Sequence, residues 1–215
     1  KSSKIKKELF IQIVLPLIVS ENERIYDDRE KLLKIISKKM TSDQEKNWLR
    51  KKLREYKVKN SDMKELVKKM DIIPVSIALA QAAKESGWGT SRFALEGNAI
   101  FGQWTWNGKG IKPLDTSKDE KHTILKFPIL RASVKAYITN LNTHNGYKNF
   151  RQKRSKLRKV KNQLKGLDLI HELDNYAQTG KKYTKILEKI IKQNSLYDFE
   201  SVSVLDNKDK KQFNL

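Results

Sequence analysis

The run from Asp71 to Gly89 constrains this chain more than any other stretch. Pro74 suits a first helical turn, where its missing N–H is no loss. Val75, Ala78, Leu79, Ala82 and Ala83 then recur at helical spacing, so one face of the helix must be covered. Gly87 and Gly89 supply the stop, because glycine accepts the left-handed backbone that closes a helix. Glu85 therefore falls in the last turn, next to an apolar face.

The segments on either side fix the fold class. The apolar stretch from Leu9 to Val19 is interrupted by Gln12 and Pro16. It is shorter than the roughly 20 apolar residues a membrane span needs, so it reads as a packed helix or an extended arm. Glu21 to Lys59 is helical and highly charged, with Ile25, Leu32, Leu33, Ile35 and Ile36 as its stripe. Thr41 and Gln44 resemble a capping box. Asn60 and Ser61 break the run, and Met63, Leu66, Val67 and Met70 mark a further helix. Residues 97–127 lose helical periodicity. Trp104-Thr105-Trp106 runs into Asn107-Gly108, a hairpin signal, and His122 to Phe127 reads as another short strand. After Pro128 three helical stripes follow, at Leu130 to Leu141, Leu167 to Tyr176 and Tyr183 to Gln193. The expected fold is mainly α, with a small inserted β-hairpin lobe. The expected organisation is a helical extension over 1–60, a main domain over 61–200 and a polar, frayed tail over 201–215.

Composition removes several chemistries. The 215 residues include no cysteine, which excludes disulfides, thiolate metal sites and a cysteine nucleophile. The three histidines, His122, His144 and His171, are never three or four apart, so no metal and no cofactor are expected. Lys+Arg 46 against Asp+Glu 25 gives a net charge of +21. Such a field attracts anionic polymers and surfaces. The same excess, mostly lysine, equally describes solvated helix faces, and few arginine forks are present to read nucleic acid. No specific nucleic-acid partner is expected. Starting at Lys1 is compatible with an upstream signal or anchor having been removed.

The suggestive chemistry gathers where the helix of Glu85 meets the β lobe. A carboxyl group beside Trp88, Phe93 and Phe101 would hold its proton more tightly than in water, as a general acid must. Trp104 and Trp106 offer flat faces for sugar rings, and Asn98, Gln103 and Asn107 offer amides. Together these read as a glycan-cleaving cleft. Plainer readings stand beside this one. A lone Glu on a helix is commonly a solvated residue, paired Trp side chains pack within hairpins, and Tyr137 and Tyr183 lie on apolar stripes that suit a core.

The run Ile73-Pro74-Val75-Ser76-Ile77-Ala78-Leu79-Ala80-Gln81-Ala82-Ala83-Lys84-Glu85-Ser86-Gly87-Trp88-Gly89-Thr90-Ser91-Arg92-Phe93-Ala94, followed by Gly97-Asn98-Ala99-Ile100-Phe101-Gly102, resembles the signature of the bacterial glucosaminidases of glycoside hydrolase family 73. Phe101-Gly102-Gln103-Trp104-Thr105, Asn140-Leu141-Asn142-Thr143-His144 and the arm from Leu15 to Asn22 resemble its Bax-type members. The resemblance implies a lysozyme-like helical fold and hydrolysis of the β-1,4 bond between N-acetylglucosamine and N-acetylmuramic acid in peptidoglycan. It implies Glu85 as general acid and, through Tyr176-Ala177-Gln178-Thr179-Gly180, Tyr176 as a cleft residue. A second carboxylate is expected on the β lobe, where Glu120 is preferred over Asp119. If neither reaches the cleft, water held by Tyr176 or the substrate's own acetamido group would serve. Asn98, Phe101, Gln103, Trp104, Trp106 and Tyr137 form the expected substrate-binding set. The expected partners are peptidoglycan strands, with weak anionic-surface binding, and the expected state is a monomer in the periplasm or cell envelope. A lytic transglycosylase and a non-catalytic wall or nucleic-acid binder are the competing readings.

Overall fold

A computed structural model gives the fold, described here for residues 3–105, 110–112, 123–161 and 163–203. Eight α-helices dominate these residues: α1 Ser3–Ile36, α2 Asp43–Glu55, α3 Met63–Lys69, α4 Val75–Ser86, α5 Arg92–Gly97, α6 Leu130–Thr143, α7 Lys148–Arg158 and α8 Lys181–Gln193. Three short strands, β1 Trp104–Thr105, β2 Gly110–Ile111 and β3 Thr123–Leu125, sit between α5 and α6. The expected mainly helical chain with a small β insertion is what the structure has.

α4 is the axis of the molecule. Every residue from Val75 to Ala83 is buried. α1, α8 and the 3-10 turn Leu196–Ser201 pack around it, and its alanines let them come close. Pro74 is the N-cap itself and provides no side-chain cap. The Glu200 carboxylate does so instead, accepting from the Val75 N–H (2.9 Å), the Ser76 hydroxyl (2.5 Å) and the Gly166 N–H (2.8 Å). A negative group there also complements the helix dipole. At the other end Gly87 takes φ +58°, the left-handed conformation that stops the helix. Glu85 is thereby held two residues from a sharp break.

α1 runs unbroken through Pro16 for 34 residues. Phe10, Val14, Ile18, Val19, Ile25 and Leu32 enter the same apolar core as α4. Asn22 clasps the entry to α4, donating to the Ile73 carbonyl (2.7 Å) and accepting from the Ile73 N–H (3.1 Å). Among the described residues no helix is long and apolar enough to cross a membrane.

Three local expectations need correction, and one helix, α7, had no counterpart among them. The capping box lies one residue later than expected: Ser42 accepts from the Glu45 N–H while Glu45 accepts from the Ser42 N–H. Leu167 to Tyr176 is two 3-10 turns, Gly166–Asp168 and Ile170–Tyr176, rather than an α-helix. α7 has no apolar stripe because its covered face is Phe150, Arg151 and Arg154. Arg154, fully buried, donates to the backbone carbonyls of Lys68 and Ile72, and buried Asp71 lies among Arg29, Arg154 and Arg158. Finally, the sheet order is β1-β3-β2, antiparallel throughout. The strands flanking Asn107-Gly108 are therefore separated by β3 rather than paired, and that turn lies outside the described residues.

Candidate active site

Glu85 is half-buried in the last turn of α4. Among the described residues it makes no ion pair. Its Oε1 accepts a hydrogen bond from the Tyr183 hydroxyl at 2.9 Å. That hydroxyl accepts in turn from Gln81 Nε2 at 3.0 Å, and Gln81 Oε1 accepts from the Tyr137 hydroxyl at 2.7 Å. Gln81 and Tyr137 are fully buried and Tyr183 is nearly so.

The donor and acceptor rules give this chain one direction. An amide oxygen can only accept, so Tyr137 donates to it. The Gln81 N–H then occupies the Tyr183 oxygen, leaving the Tyr183 proton for Glu85. With Oε1 already accepting, a proton on Glu85 resides on Oε2. Burial is the main cause holding the Glu85 proton above the ordinary carboxylate range, and the Tyr183 hydrogen bond and the nearby Lys84 ammonium work against it. Burial also pushes the Tyr183, Tyr176 and Tyr137 phenols well up, so these hydroxyls stay protonated donors at any ordinary pH.

Of the three aromatics that sequence proximity suggests, only Phe101 belongs to the cluster beside Glu85. Trp88 packs edge-on to Phe10 of α1, 5.6 Å between ring centres. Phe93 joins a separate apolar cluster with Ala99, Ile124 and Phe127. The environment of Glu85 is instead a tyrosine cluster. Tyr176 stacks on Tyr183 (5.6 Å, 6°), and Tyr137 stacks on Phe101 (3.8 Å, 6°). Gly102 follows Phe101 with φ +60°, and a Cβ there would stand 3.4 Å from Glu85 Oε2. Glycine therefore leaves open the space beside the oxygen that carries the proton.

The other expected site residues divide. Phe101 and Tyr137, at 1% and 0% exposure, have no surface for a glycan, so they support the site from beneath rather than bind substrate. Asn98 caps α5 with φ +51° and donates its amide to the Phe127 carbonyl (3.0 Å), tying α5 to the end of the β lobe. Tyr176 donates its proton to the Phe101 carbonyl at 2.9 Å, which fixes the loop carrying Gly102 and leaves that proton unavailable to a water. Gln103 faces an open depression on the α6 side. Trp104 lies in β1 opposite Ile124, but its side chain, like Trp106, Asp119, Glu120 and His122, falls outside the described residues. The sequence reading placed Tyr183 in the core and gave Gln81 no role. A clue was present: Gln81 is an amide one helical turn before Glu85 on an otherwise apolar face, and a buried amide demands partners.

A half-buried carboxyl at a helix end, served by a one-way hydrogen-bond chain, is a group able to hold and release a proton. The comparisons give the particular family. Residues 60–196 match the glucosaminidase family, described as mannosyl-glycoprotein endo-beta-N-acetylglucosaminidase, and the chain belongs to that family. It is 34% identical over 195 residues to Protein bax of Escherichia coli (strain K12), covering 88% of this chain and 70% of that protein. The catalytic domain of the autolysin Auto from Listeria monocytogenes is a structural neighbour at 19% identity and a TM-score of 0.44, covering 82% of this chain and 96% of that one.

Proposed function

We propose that the chain hydrolyses peptidoglycan as an endo-β-N-acetylglucosaminidase, cutting the β-1,4 bond between N-acetylglucosamine and N-acetylmuramic acid. Glu85 is the general acid. The observation that carries this reading is the Tyr137–Gln81–Tyr183–Glu85 chain, which keeps one carboxyl oxygen occupied and presents the other beside Gly102.

In this mechanism the Glu85 proton passes from Oε2 to the glycosidic oxygen as the bond to C1 breaks. The leaving sugar departs as a neutral alcohol. Tyr183 then stabilises the new carboxylate through the hydrogen bond it already makes, so little reorganisation is needed. Attack on C1 comes from a water or from the acetamido oxygen of the cleaved N-acetylglucosamine. The second route closes a ring that water later opens, and Glu85 recovers a proton from that water. Glu120 or Asp119 would serve as base to the water in the first route. Tyr176 acts as a positioning residue, holding the Phe101-Gly102 backbone against the acid. The working site is the cell envelope, where this polymer lies.

Mass spectrometry of digested peptidoglycan tests the reading. Reducing N-acetylglucosamine ends are expected. Anhydro-muramic ends would make the chain a lytic transglycosylase, and no released fragments would make it a binder.

A further inference from the structure

Gln103, the residue after Gly102, borders an open depression of about 460 Å³. Its walls come from three parts of the chain. Lys57 belongs to the turn between α2 and α3, Gln103 to the start of the β lobe, and Lys135, Thr139, Asn140 and Thr143 to α6. α6 is divided between two roles. Val134, Tyr137, Ile138 and Leu141 point into the core, whereas Lys135 is exposed, Thr139 and Asn140 are half-buried and Thr143 is buried.

Two details show a built surface rather than an accident of shape. Lys57 takes φ +51° as the left-handed residue that ends α2, with the Val58 N–H donating to the Leu53 carbonyl at 2.8 Å. Lys69, a buried side chain, donates to the carbonyls of Tyr56 (3.1 Å) and Lys57 (3.0 Å) and ties this turn to α3. The second detail is Gln103. Its carbonyl accepts from the Leu125 N–H at 2.7 Å, which anchors it to β3. Its side-chain oxygen is buried and has no hydrogen-bond partner among the described residues. A buried acceptor left without a donor is unfavourable, and such an atom calls for an N–H from outside. Lys57 and Lys135 are exposed and enter no ion pair among the described residues.

We propose that this depression binds the carboxylate-bearing substituent of the glycan strand, the lactyl ether and the stem peptide attached to it. Lys57 and Lys135 take its carboxylates, and Gln103 Oε1 accepts one of its amide N–H groups. The inference rests on the glycosidase reading and deepens it: the turn after α2 selects acidic, peptide-bearing strands over neutral N-acetylglucosamine polymers. Each exposed ammonium contributes modestly and is screened by salt, so the discrimination comes from the pair acting with the amide.

The test is calorimetric titration of the Glu85→Gln protein, which binds without turnover. Three probes are used: N-acetylglucosaminyl-N-acetylmuramyl tripeptide, the same disaccharide without peptide, and neutral chitotetraose. The tripeptide is expected to bind roughly tenfold more tightly than chitotetraose at low salt. Adding Lys57→Gln and Lys135→Gln should abolish that preference and leave chitotetraose affinity unchanged. In the tripeptide probe the lactyl carboxyl is an amide, so its carboxylates are the peptide's. A peptide-free disaccharide, with its lactyl carboxylate free, that binds as tightly shows that one carboxylate on this arm suffices, and one that binds no better than chitotetraose shows that the peptide's carboxylates are the anchor. Equal affinity for charged and neutral probes, or a preference that survives both lysine substitutions, overturns the proposal. Either result would leave the glycosidase reading to stand on the digestion products. Digestion products lacking any cleaved strand would sink that reading by itself.

Discussion

Tyr183→Phe isolates the hydrogen-bond chain because it removes one oxygen and keeps the ring. The stack on Tyr176 (5.6 Å, 6°) is retained. Two bonds are lost, one to Glu85 Oε1 at 2.9 Å and one from Gln81 Nε2 at 3.0 Å. Gln81 is fully buried, so its N–H is left without an acceptor. An unsatisfied buried donor destabilises by about 1–3 kcal/mol, and for a protein of this size 2 kcal/mol corresponds to a fall of roughly 4–8 °C in Tm. The kinetic effect has a definite sign. The Tyr183 hydrogen bond lowers the Glu85 pKa against the opposing effect of burial. Without it the carboxyl keeps its proton to higher pH, so the alkaline limb of the rate profile moves upward while the maximal rate falls. Turbidity clearing of peptidoglycan between pH 4 and 9, with thermal melts at each pH, measures both on the order of one preparation. A variant with wild-type melting and an unmoved or lowered alkaline limb would refute the one-way chain.

Three further outcomes follow from the same contacts. Burial makes the folded protein hold the Glu85 proton more tightly than the unfolded chain does, so ionisation weakens the fold as pH rises above the ordinary carboxylate range. Glu85→Gln keeps an acceptor for Tyr183 and removes the charge, and calorimetry should find it more stable than wild type at pH 8 with a smaller difference at pH 5; a loss of stability at pH 8 would contradict the burial argument. Glu200→Ala strips the Val75 and Gly166 N–H groups of their acceptor, and urea unfolding should show a loss of about 3 kcal/mol. Gly102→Ala puts a methyl 3.4 Å from Glu85 Oε2 on a φ of +60°; it should lower stability by roughly 1–2 kcal/mol and reduce turnover more than substrate binding.

What the sequence revealed and what it hid divide along physical lines. α4 was legible because Pro74, the alanine spacing and Gly87 all act locally. α8 and α6 were legible because their stripes are apolar. α7 was not, because Arg151 and Arg154 occupy covered positions where a periodicity argument looks for aliphatic side chains. Those same residues, with Lys52 and Lys69, are buried, so part of the basic excess is internal scaffolding and not a solvated face. The sheet order was hidden because it depends on β3, which pairs with both other strands from a distance in sequence. At the candidate site, the place of Glu85 in the last turn of α4 could be read from the spacing before Gly87, and its role as acid from the family resemblance alone. Its drying partners could not: Tyr137, Tyr176 and Tyr183 arrive from three later segments and meet only through tertiary packing. Proximity along the chain pointed to Trp88, Phe93 and Phe101; α1 and the β lobe take the first two, and Phe101 alone stacks within the cluster.

The most direct test compares muropeptide release by the wild-type chain and by Glu85→Gln under identical conditions. The account predicts a folded variant whose release of reducing N-acetylglucosamine ends is lower by about two orders of magnitude or more, the range that a positioned general acid contributes. Release at the wild-type rate would mean that the proton comes from elsewhere, and the assignment of Glu85 would be wrong.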